Sequence, residues 1–162
     1  MTDFAALLER LNRHQVRYIL VGGFAAAALG SARLTWDLDV VYARDAENLD
    51  RLVRALADAR PYLRGAPPGL PFRFDAATLR AGLNFTLTTT LGDIDLLGEI
   101  AGGGDYHRLL PGTFEVEVFD QPCRSLRLEK LIEVKRAAGR PKDLEAIAEL
   151  EALRDRQRPP RG

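Results

Sequence analysis

The chain has 162 residues, 46% hydrophobic and 28% charged, enough for one domain with its own core. Basic and acidic residues number 23 each, and this zero net charge argues against a protein that coats nucleic acid through bulk positive charge. A single cysteine, Cys123, excludes an internal disulfide, and no apolar run reaches the ~20 residues needed to cross a bilayer. The amphipathic, charged start does not resemble a signal peptide, so the sequence predicts a cytoplasmic protein without a membrane partner.

The first part of the chain predicts helices that alternate with short strands. Leu7, Leu8 and Leu11 recur at helical spacing behind a polar start, which is typical of a capped amphipathic helix. The elements predicted here are a helix over 3–14, a strand over 16–21, a helix from residue 24 to Gly30, a strand over 38–42 and a helix over 45–59.

The second part begins with residues 61–76, a segment rich in proline and glycine. This composition predicts a loop that can cover a site, with one short strand at 72–74. The elements predicted after it are strands over 83–91 and 93–97, an irregular stretch over 98–112, a strand over 114–119, and helices over 126–138 and 141–154. Pro141 suits the first turn of the last helix.

Mixed strands and helices without an internal repeat predict a fold of the α/β or α+β class. We expect a single domain over residues 1–154, built on a small mixed sheet with flanking helices. A C-terminal helical hairpin should occupy about residues 126–154, and the polar, Pro-rich residues 155–162 are predicted to be a disordered tail.

The first candidate functional feature is a strand that ends in Gly22 and Gly23 and is followed at once by a helix. Glycine lets the backbone approach a ligand closely, and the first amides of a helix point outward without partners. Together these properties favour phosphate binding. A pair of glycines after a strand equally indicates an ordinary turn, so its weight depends on the residues that follow.

Those residues include three aspartates in apolar strand contexts. Thirteen residues separate Gly23 from Asp37, Asp37 and Asp39 flank Leu38, and Asp95 lies within a later apolar strand. Alternate strand positions face the same side, so the first two carboxylates repel each other unless a cation compensates. Each aspartate alone also fits a turn cap or a solvated strand face. Their conjunction favours a site for Mg²⁺, which is commonly held by one or two carboxylates plus substrate phosphates.

This pattern resembles the signature of the DNA polymerase beta superfamily of nucleotidyltransferases. The residues that carry the resemblance are Gly22, Gly23, Asp37, Asp39 and Asp95. The family implies a small mixed sheet that presents the three carboxylates as catalytic metal ligands. It also implies two Mg²⁺ ions as cofactors and transfer of a nucleotidyl group from a nucleoside triphosphate.

A second resemblance covers more of the chain, about residues 16–150. Arg33 and Thr35, just ahead of the paired aspartates, and the run KRAAGRPKDL over 135–144 are similar to the branch related to abortive-infection and toxin–antitoxin nucleotidyltransferases. The resemblance implies that the two glycines, Ser31, Arg33 and Thr35 bind the nucleotide. Unlike larger members, these 162 residues are expected to form no separate acceptor-binding domain.

Lys135 ends an apolar helical stripe that begins with Leu128, Leu131 and Ile132. An unpaired ammonium there is costly, so the side chain must either reach water, pair with an acidic neighbour, or extend to the carboxylates and a triphosphate oxygen. Resemblance to the K-x-x-A-G-R-x-K-D run favours the last of these, which makes Lys135 a candidate catalytic residue.

The function expected from these residues is Mg²⁺-dependent transfer of an NMP from an NTP to an acceptor. The acceptor stays open between RNA such as tRNA, a partner protein, and a small molecule such as an antibiotic, and a toxin or antitoxin partner is possible. Two other classes compete with this enzyme. One is a lapsed module that only binds nucleotide or a partner, which the three intact aspartates argue against. The other is an interaction domain without nucleotide, which no residue pattern supports.

Overall fold

The computed structural model describes residues 1–32 and 34–158, so Arg33 and residues 159–162 lie outside the described residues. Its α-helices are α1 (Phe4–Arg13), α2 (Gly22–Ala28), α3 (Ala46–Leu56), α4 (Ala76–Ala81), α5 (Tyr106–Leu109), α6 (Leu128–Ala138) and α7 (Pro141–Gln157). Its strands are β1 (Tyr18–Val21), β2 (Asp37–Tyr42), β3 (Tyr62–Leu63), β4 (Phe85–Thr89), β5 (Gly92–Leu97), β6 (Glu99–Ile100), β7 (Gly104–Asp105), β8 (Thr113–Val118) and β9 (Gln121–Leu126). In this part of the chain, no helix is both long and apolar enough to traverse a bilayer.

The main sheet of the described chain has seven strands in the order β3-β4-β5-β2-β1-β9-β8. β2 runs parallel to β5 and antiparallel to β1, while β9 runs parallel to β1, so the sheet is mixed. β6 and β7 form a separate small hairpin. The predicted α/β class with a mixed sheet and flanking helices is therefore confirmed.

The centre of the sheet separates apolar and acidic side chains onto opposite faces. Leu38 and Val40, which alternate with the aspartates of β2, are fully buried, and so are Ile94 and Leu96 on the neighbouring β5. Successive strand residues point to opposite faces, so burial of the apolar set turns the acidic set to the other face. α1 and α3 pack against each other and contribute buried leucines to the same core.

The C-terminal helices form the predicted hairpin. α6 packs against α7 and also contacts α2. Leu128, Leu131 and Ile132 are at most 5% exposed, as their helical spacing predicts. Gly139 adopts a left-handed φ of 66° as the C-cap of α6, a conformation that glycine adopts without strain. α7 continues to Gln157, so the first residues of the expected tail are helical, and residues 159–162 lie outside the described range.

The structure differs from the local predictions in three places. The short strand of segment 61–76 lies at Tyr62–Leu63, where pairing with β4 is available, and residues 72–74 are irregular. The predicted strand 114–119 is present as β8, and it pairs with a strand that was not predicted, β9, in which Pro122 and Arg124 obscure the apolar alternation. The stretch 98–112 contains the β6–β7 hairpin and α5. The β3–β4 and β1–β9 pairings join segments that are distant in sequence, and local patterns do not reveal them.

Candidate functional site

The acidic cluster, which we define as Asp37, Asp39 and Asp95, lies where the two parallel strands β2 and β5 meet. Asp39 stands directly opposite Asp95 in the strand register, and Asp37 precedes Asp39 on the same face. One carboxylate oxygen from each residue lies within 4.8 Å of the other two. The sequence separates Asp95 from the pair by more than fifty positions, so the parallel strand pairing is what completes the cluster.

The acidic cluster carries more negative charge than its surroundings neutralise. Asp39 Oδ1 and Asp95 Oδ1 are buried and have no hydrogen-bond partner among the described residues. Burial, and next the charge of Asp95, raise the pKa of Asp39 to about 8, and the same two causes raise the pKa of Asp37. Clustered carboxylates with unsatisfied oxygens fit a hard divalent cation such as Mg²⁺, which takes oxygen ligands.

The glycine turn lies against this cluster. Gly22 has a positive φ of 70°, and a Cβ placed on it would collide with the carboxylate of Asp39. A Cβ on Gly23 would approach Thr35 Oγ1 to 3.0 Å. Both the backbone conformation and the space thus require glycine at position 22, and the turn delivers the start of α2 to the side of Asp39.

Among the described residues, Arg64 is the positive group that contacts the acidic cluster. Its guanidinium lies 2.9 Å from Asp95 Oδ1, 3.5 Å from Asp37 Oδ2 and 3.4 Å from Asp93 Oδ2. The contact with Asp95 Oδ1 lacks hydrogen-bond alignment, and Nη2 donates instead to the backbone carbonyl of Leu87 at 2.8 Å. Arg64 therefore offsets part of the negative charge without satisfying the oxygens.

A second charged group, the helix-junction cluster, consists of Lys135, Arg140 and Asp143. Asp143 is 2% exposed and accepts hydrogen bonds from the Arg140 backbone N–H at 3.2 Å and from its Nε at 2.6 Å. Lys135 Nζ lies 3.9 Å from Asp143 Oδ1. Burial works to raise the pKa of Asp143, but the hydrogen bonds and charge of Arg140 outweigh it and hold that pKa below its usual value.

Lys135 is only 16% exposed, and burial lowers the pKa of its ammonium although the charge of Asp143 opposes this. The structure thus pairs the stripe-end lysine with an acidic neighbour. It also places Lys135 on the wall of the cavity that contains Asp39. The two interpretations of this lysine are compatible, because the paired ammonium still borders the site.

A cavity of about 370 Å³ connects the two clusters. Asp39 and Gly22 line this cavity. The three residues of the helix-junction cluster line it as well: Lys135, Arg140 and Asp143. Apolar side chains from β5, the β6–β7 hairpin and α6 complete the lining: Leu97, Ile100, Ala101, Leu131, Val134 and Ala138. A pocket that is largely apolar, with a few convergent charged groups, is typical of sites for small organic ligands.

The other predicted nucleotide-binding residues lie around this cavity or beyond it. Ser31 Oγ donates to Glu149 Oε1 of α7 at 2.9 Å, so a phosphate would compete with an existing hydrogen bond. Thr35 Oγ1 donates to the Asp37 carbonyl at 3.2 Å and contacts the Gly23 side of the turn. The predicted phosphate contact of Arg33 lies outside the described residues.

Sequence reasoning missed four residues of this region. Arg140 and Asp143 stand inside the run 135–144, and their spacing of three residues across a helix start is a detectable signal for an ion pair. Arg64 carries no such signal, because only the β3–β4 pairing brings it to the strands that bear the aspartates. Asp93 stands in register with Asp37 at the edge of the site and contacts Arg64.

Comparison with known proteins connects this geometry to a fold. No protein-family model matches the chain, and no curated protein matches it. A solved structure of the lincosamide antibiotic adenylyltransferase LnuA, with lincomycin bound, superposes with a TM-score of 0.59 at 16% identity, covering 91% of this chain and 93% of that one.

Two further solved structures are similar. A candidate nucleotidyltransferase from Thermotoga maritima has a TM-score of 0.51 at 16% identity, with 92% and 86% of the two chains covered. An antigenic nucleotidyltransferase-like protein from Paracoccidioides brasiliensis has a TM-score of 0.54 at 18% identity, with 92% and 73% covered. These likenesses show that the chain has a nucleotidyltransferase fold.

Proposed function

We propose that this protein is a divalent-metal-dependent nucleotidyltransferase that moves an NMP from an NTP to a nucleophilic acceptor. The observation that carries the proposal is the acidic cluster, in which Asp39 Oδ1 and Asp95 Oδ1 are buried without a hydrogen-bond partner among the described residues, and Asp39 lines a cavity of about 370 Å³. The nucleotidyltransferase fold supports it. A lapsed binding module would have no need to keep three mutually repelling carboxylates together.

Asp37, Asp39 and Asp95 would hold Mg²⁺, as two ions in the two-metal arrangement that the sequence resemblance implies. When bound, the metal supplies positive charge against the triphosphate and the developing charge of the transferred phosphoryl group. The three aspartate side chains hold the ligand oxygens in fixed positions. The parallel register of β2 and β5 holds their oxygens close before any ligand arrives, which reduces reorganisation on binding.

In the transfer itself, an acceptor oxygen attacks the α-phosphorus, the α–β phosphoanhydride bond breaks, and pyrophosphate leaves. The Asp95 carboxylate would take the proton of the attacking hydroxyl. Lys135 and Arg140 would bind the phosphate oxygens from the cavity wall, together with the Gly22 turn. The apolar lining from β5 and α6 would contact the nucleoside. Such positioning and charge stabilisation account for most of phosphoryl-transfer catalysis.

Three acceptor classes follow from this arrangement: RNA such as tRNA, a partner protein within a toxin–antitoxin pair, and a small hydroxylated molecule. The small-molecule class gains support from one observation. An antibiotic adenylyltransferase of nearly the same length has this fold, with 93% of its chain covered. The zero net charge of the chain gives no bulk attraction to RNA.

The test is incubation of the protein with each α-labelled NTP and Mg²⁺, separately with total RNA, with cell lysate protein and with a panel of hydroxylated antibiotics. Label should appear in one acceptor class and disappear when EDTA replaces Mg²⁺. The test variant is Asp39→Asn, which should abolish labelling. The matched control is Glu115→Gln, on the solvated face of β8, which should leave labelling unchanged. Labelling that persists in Asp39→Asn would contradict the proposal.

A further inference from the structure

One guanidinium lies among four carboxylates on the acidic face of the sheet. Arg64 contacts Asp37 and Asp95, which belong to the acidic cluster, and also Asp93, which does not. No other arginine or lysine pairs with any of these aspartates among the described residues, so in this structure Arg64 is the cation that the cluster holds.

Arg64 is anchored at its backbone and loosely held at its tip. Its backbone N–H continues the sheet by donating to the Thr86 carbonyl at 3.0 Å, and Nη2 donates to the Leu87 carbonyl at 2.8 Å. The separations of 3.4 and 3.5 Å to two aspartates exceed the 2.7–2.9 Å typical of charge-assisted hydrogen bonds. Nε is buried and makes no hydrogen bond within the described chain.

A divalent cation at the acidic cluster needs the oxygens that this guanidinium approaches. An arginine stays charged at all physiological pH values, so it cannot leave the site by losing a proton. It must instead move or share ligands, since two cations within a few ångström repel each other strongly in a partly buried site. The side chain is 27% exposed, which leaves it a route toward solvent.

Asp93 provides a place for the displaced guanidinium. It lies two residues before Asp95 on β5 and therefore on the same face. Its side chain is 36% exposed and already lies 3.4 Å from Arg64 Nε. Because Asp93 is not among the three residues that bring oxygens together, it can keep Arg64 when the other carboxylates take metal.

We propose that Arg64 is an internal competitor of the divalent cation: it neutralises the acidic cluster in the metal-free protein and withdraws to Asp93 when metal binds. The proposal rests on the proposed function, because it concerns the same metal site. Under this proposal, Arg64 sets the affinity of the site for metal and stabilises the folded protein when no metal is bound.

The experiment measures Mn²⁺ binding to the metal-free protein by titration calorimetry and by loss of the free-ion EPR signal, without nucleotide. Arg64→Gln should bind Mn²⁺ about tenfold more tightly, because the competing charge is removed. Its melting temperature should fall without metal and approach that of the wild type with saturating Mn²⁺. Arg51→Gln, which removes a half-buried arginine paired with Glu47 on α3, should change neither value.

A double-mutant cycle tests the part played by Asp93. Asp93→Asn should weaken Mn²⁺ binding in the wild-type background, because Arg64 loses the partner that receives it. In the Arg64→Gln background this substitution should have a much smaller effect. An equal effect in both backgrounds would overturn the role of Asp93 as the receiving residue, since simple loss of charge would explain it.

The outcomes separate the two proposals. Mn²⁺ binding that depends on Asp39 but has the same affinity, or a weaker one, in Arg64→Gln would overturn competition and leave the metal site standing. Absence of Asp39-dependent Mn²⁺ binding in the wild type and in Arg64→Gln would overturn the metal site itself. If Arg64→Gln fails to fold, Arg64→Lys serves instead: a single ammonium cannot span three carboxylates, so Mn²⁺ should again bind more tightly, and unchanged affinity would overturn the proposal.

Discussion

The helix-junction cluster and Asp39 of the acidic cluster line the same cavity, yet the two clusters differ in how their charges are balanced. In the helix-junction cluster, one buried carboxylate, Asp143, meets two cations and accepts hydrogen bonds at both oxygens. In the acidic cluster, the carboxylates outnumber the one nearby guanidinium, and Asp39 keeps a buried oxygen without a partner within the described chain.

This difference indicates that the helix-junction cluster stabilises the fold, whereas the acidic cluster is suited to binding a ligand. A satisfied ion-pair network stabilises its surroundings and needs nothing further, whereas a repelling cluster persists only where the rest of the fold holds it in place. Removal of a carboxylate charge should therefore destabilise the protein at the helix junction and stabilise the metal-free protein at the acidic cluster. The predictions below test this contrast.

The largest effect is expected from Asp39→Asn on catalysis. Loss of one metal-binding carboxylate should lower the rate of nucleotidyl transfer on the order of 1000-fold, because metal charge stabilisation supplies several kcal/mol. The measurement is the initial rate of label transfer at saturating Mg²⁺. A variant that retains more than a tenth of the wild-type rate would show that Asp39 does not hold the metal.

Lys135→Ala should lower the transfer rate by about 100-fold, a smaller effect than that of Asp39→Asn. The expected size is that of losing one charged donor to the negative charge that develops on the phosphoryl group. Lys130→Ala is the matched control, because Lys130 lies on the same helix but pairs with Glu133 outside the cavity lining. Circular dichroism should show both variants folded. Equal rates for the two variants would make Lys135 a structural residue and remove it from the site.

Asp143→Ala should lower the free energy of unfolding by about 2 kcal/mol, because it leaves Lys135 and Arg140 without their shared carboxylate. Asp39→Asn should instead raise the free energy of unfolding of the metal-free protein, since a repelling charge is removed. Urea denaturation in EDTA compares the two variants directly. The contrast between the clusters fails if both substitutions shift stability in the same direction.

The smallest effect is a pH dependence of metal-free stability. The folded pKa of Asp39, about 8, lies above its unfolded value of 3.8. The folded state therefore binds more protons between these values, so the stability that protonated Asp39 contributes is full below about pH 4 and is lost as pH rises through about 8. Melting temperatures from pH 5 to 8 should fall more steeply for the wild type than for Asp39→Asn. Parallel curves would mean that Asp39 titrates normally.

The helix periodicities, the glycine turn and the aspartate alternation were all readable from local sequence, because each depends on neighbours within a few positions. Leu128, Leu131 and Ile132 were predicted to be buried for this reason, and they are. β9 was not predicted, because Pro122 and Arg124 obscure its alternation and its pairing with β1 and β8 stabilises it nonetheless. Local pattern and long-range pairing disagreed there, and pairing decided.

The candidate site divides along the same line. The sequence by itself determined that Asp37 and Asp39 share a face, because a strand has a period of two residues. It also determined that Gly22 can adopt a positive φ beside them. Only the tertiary structure decided that Asp95 stands opposite Asp39, that Asp143 pairs with Lys135, and that Arg64 enters the acidic cluster. These contacts depend on strand register and on helix packing between segments that are distant in sequence. The register and the packing are in turn decided by the stability of the whole fold, so no local pattern reveals them.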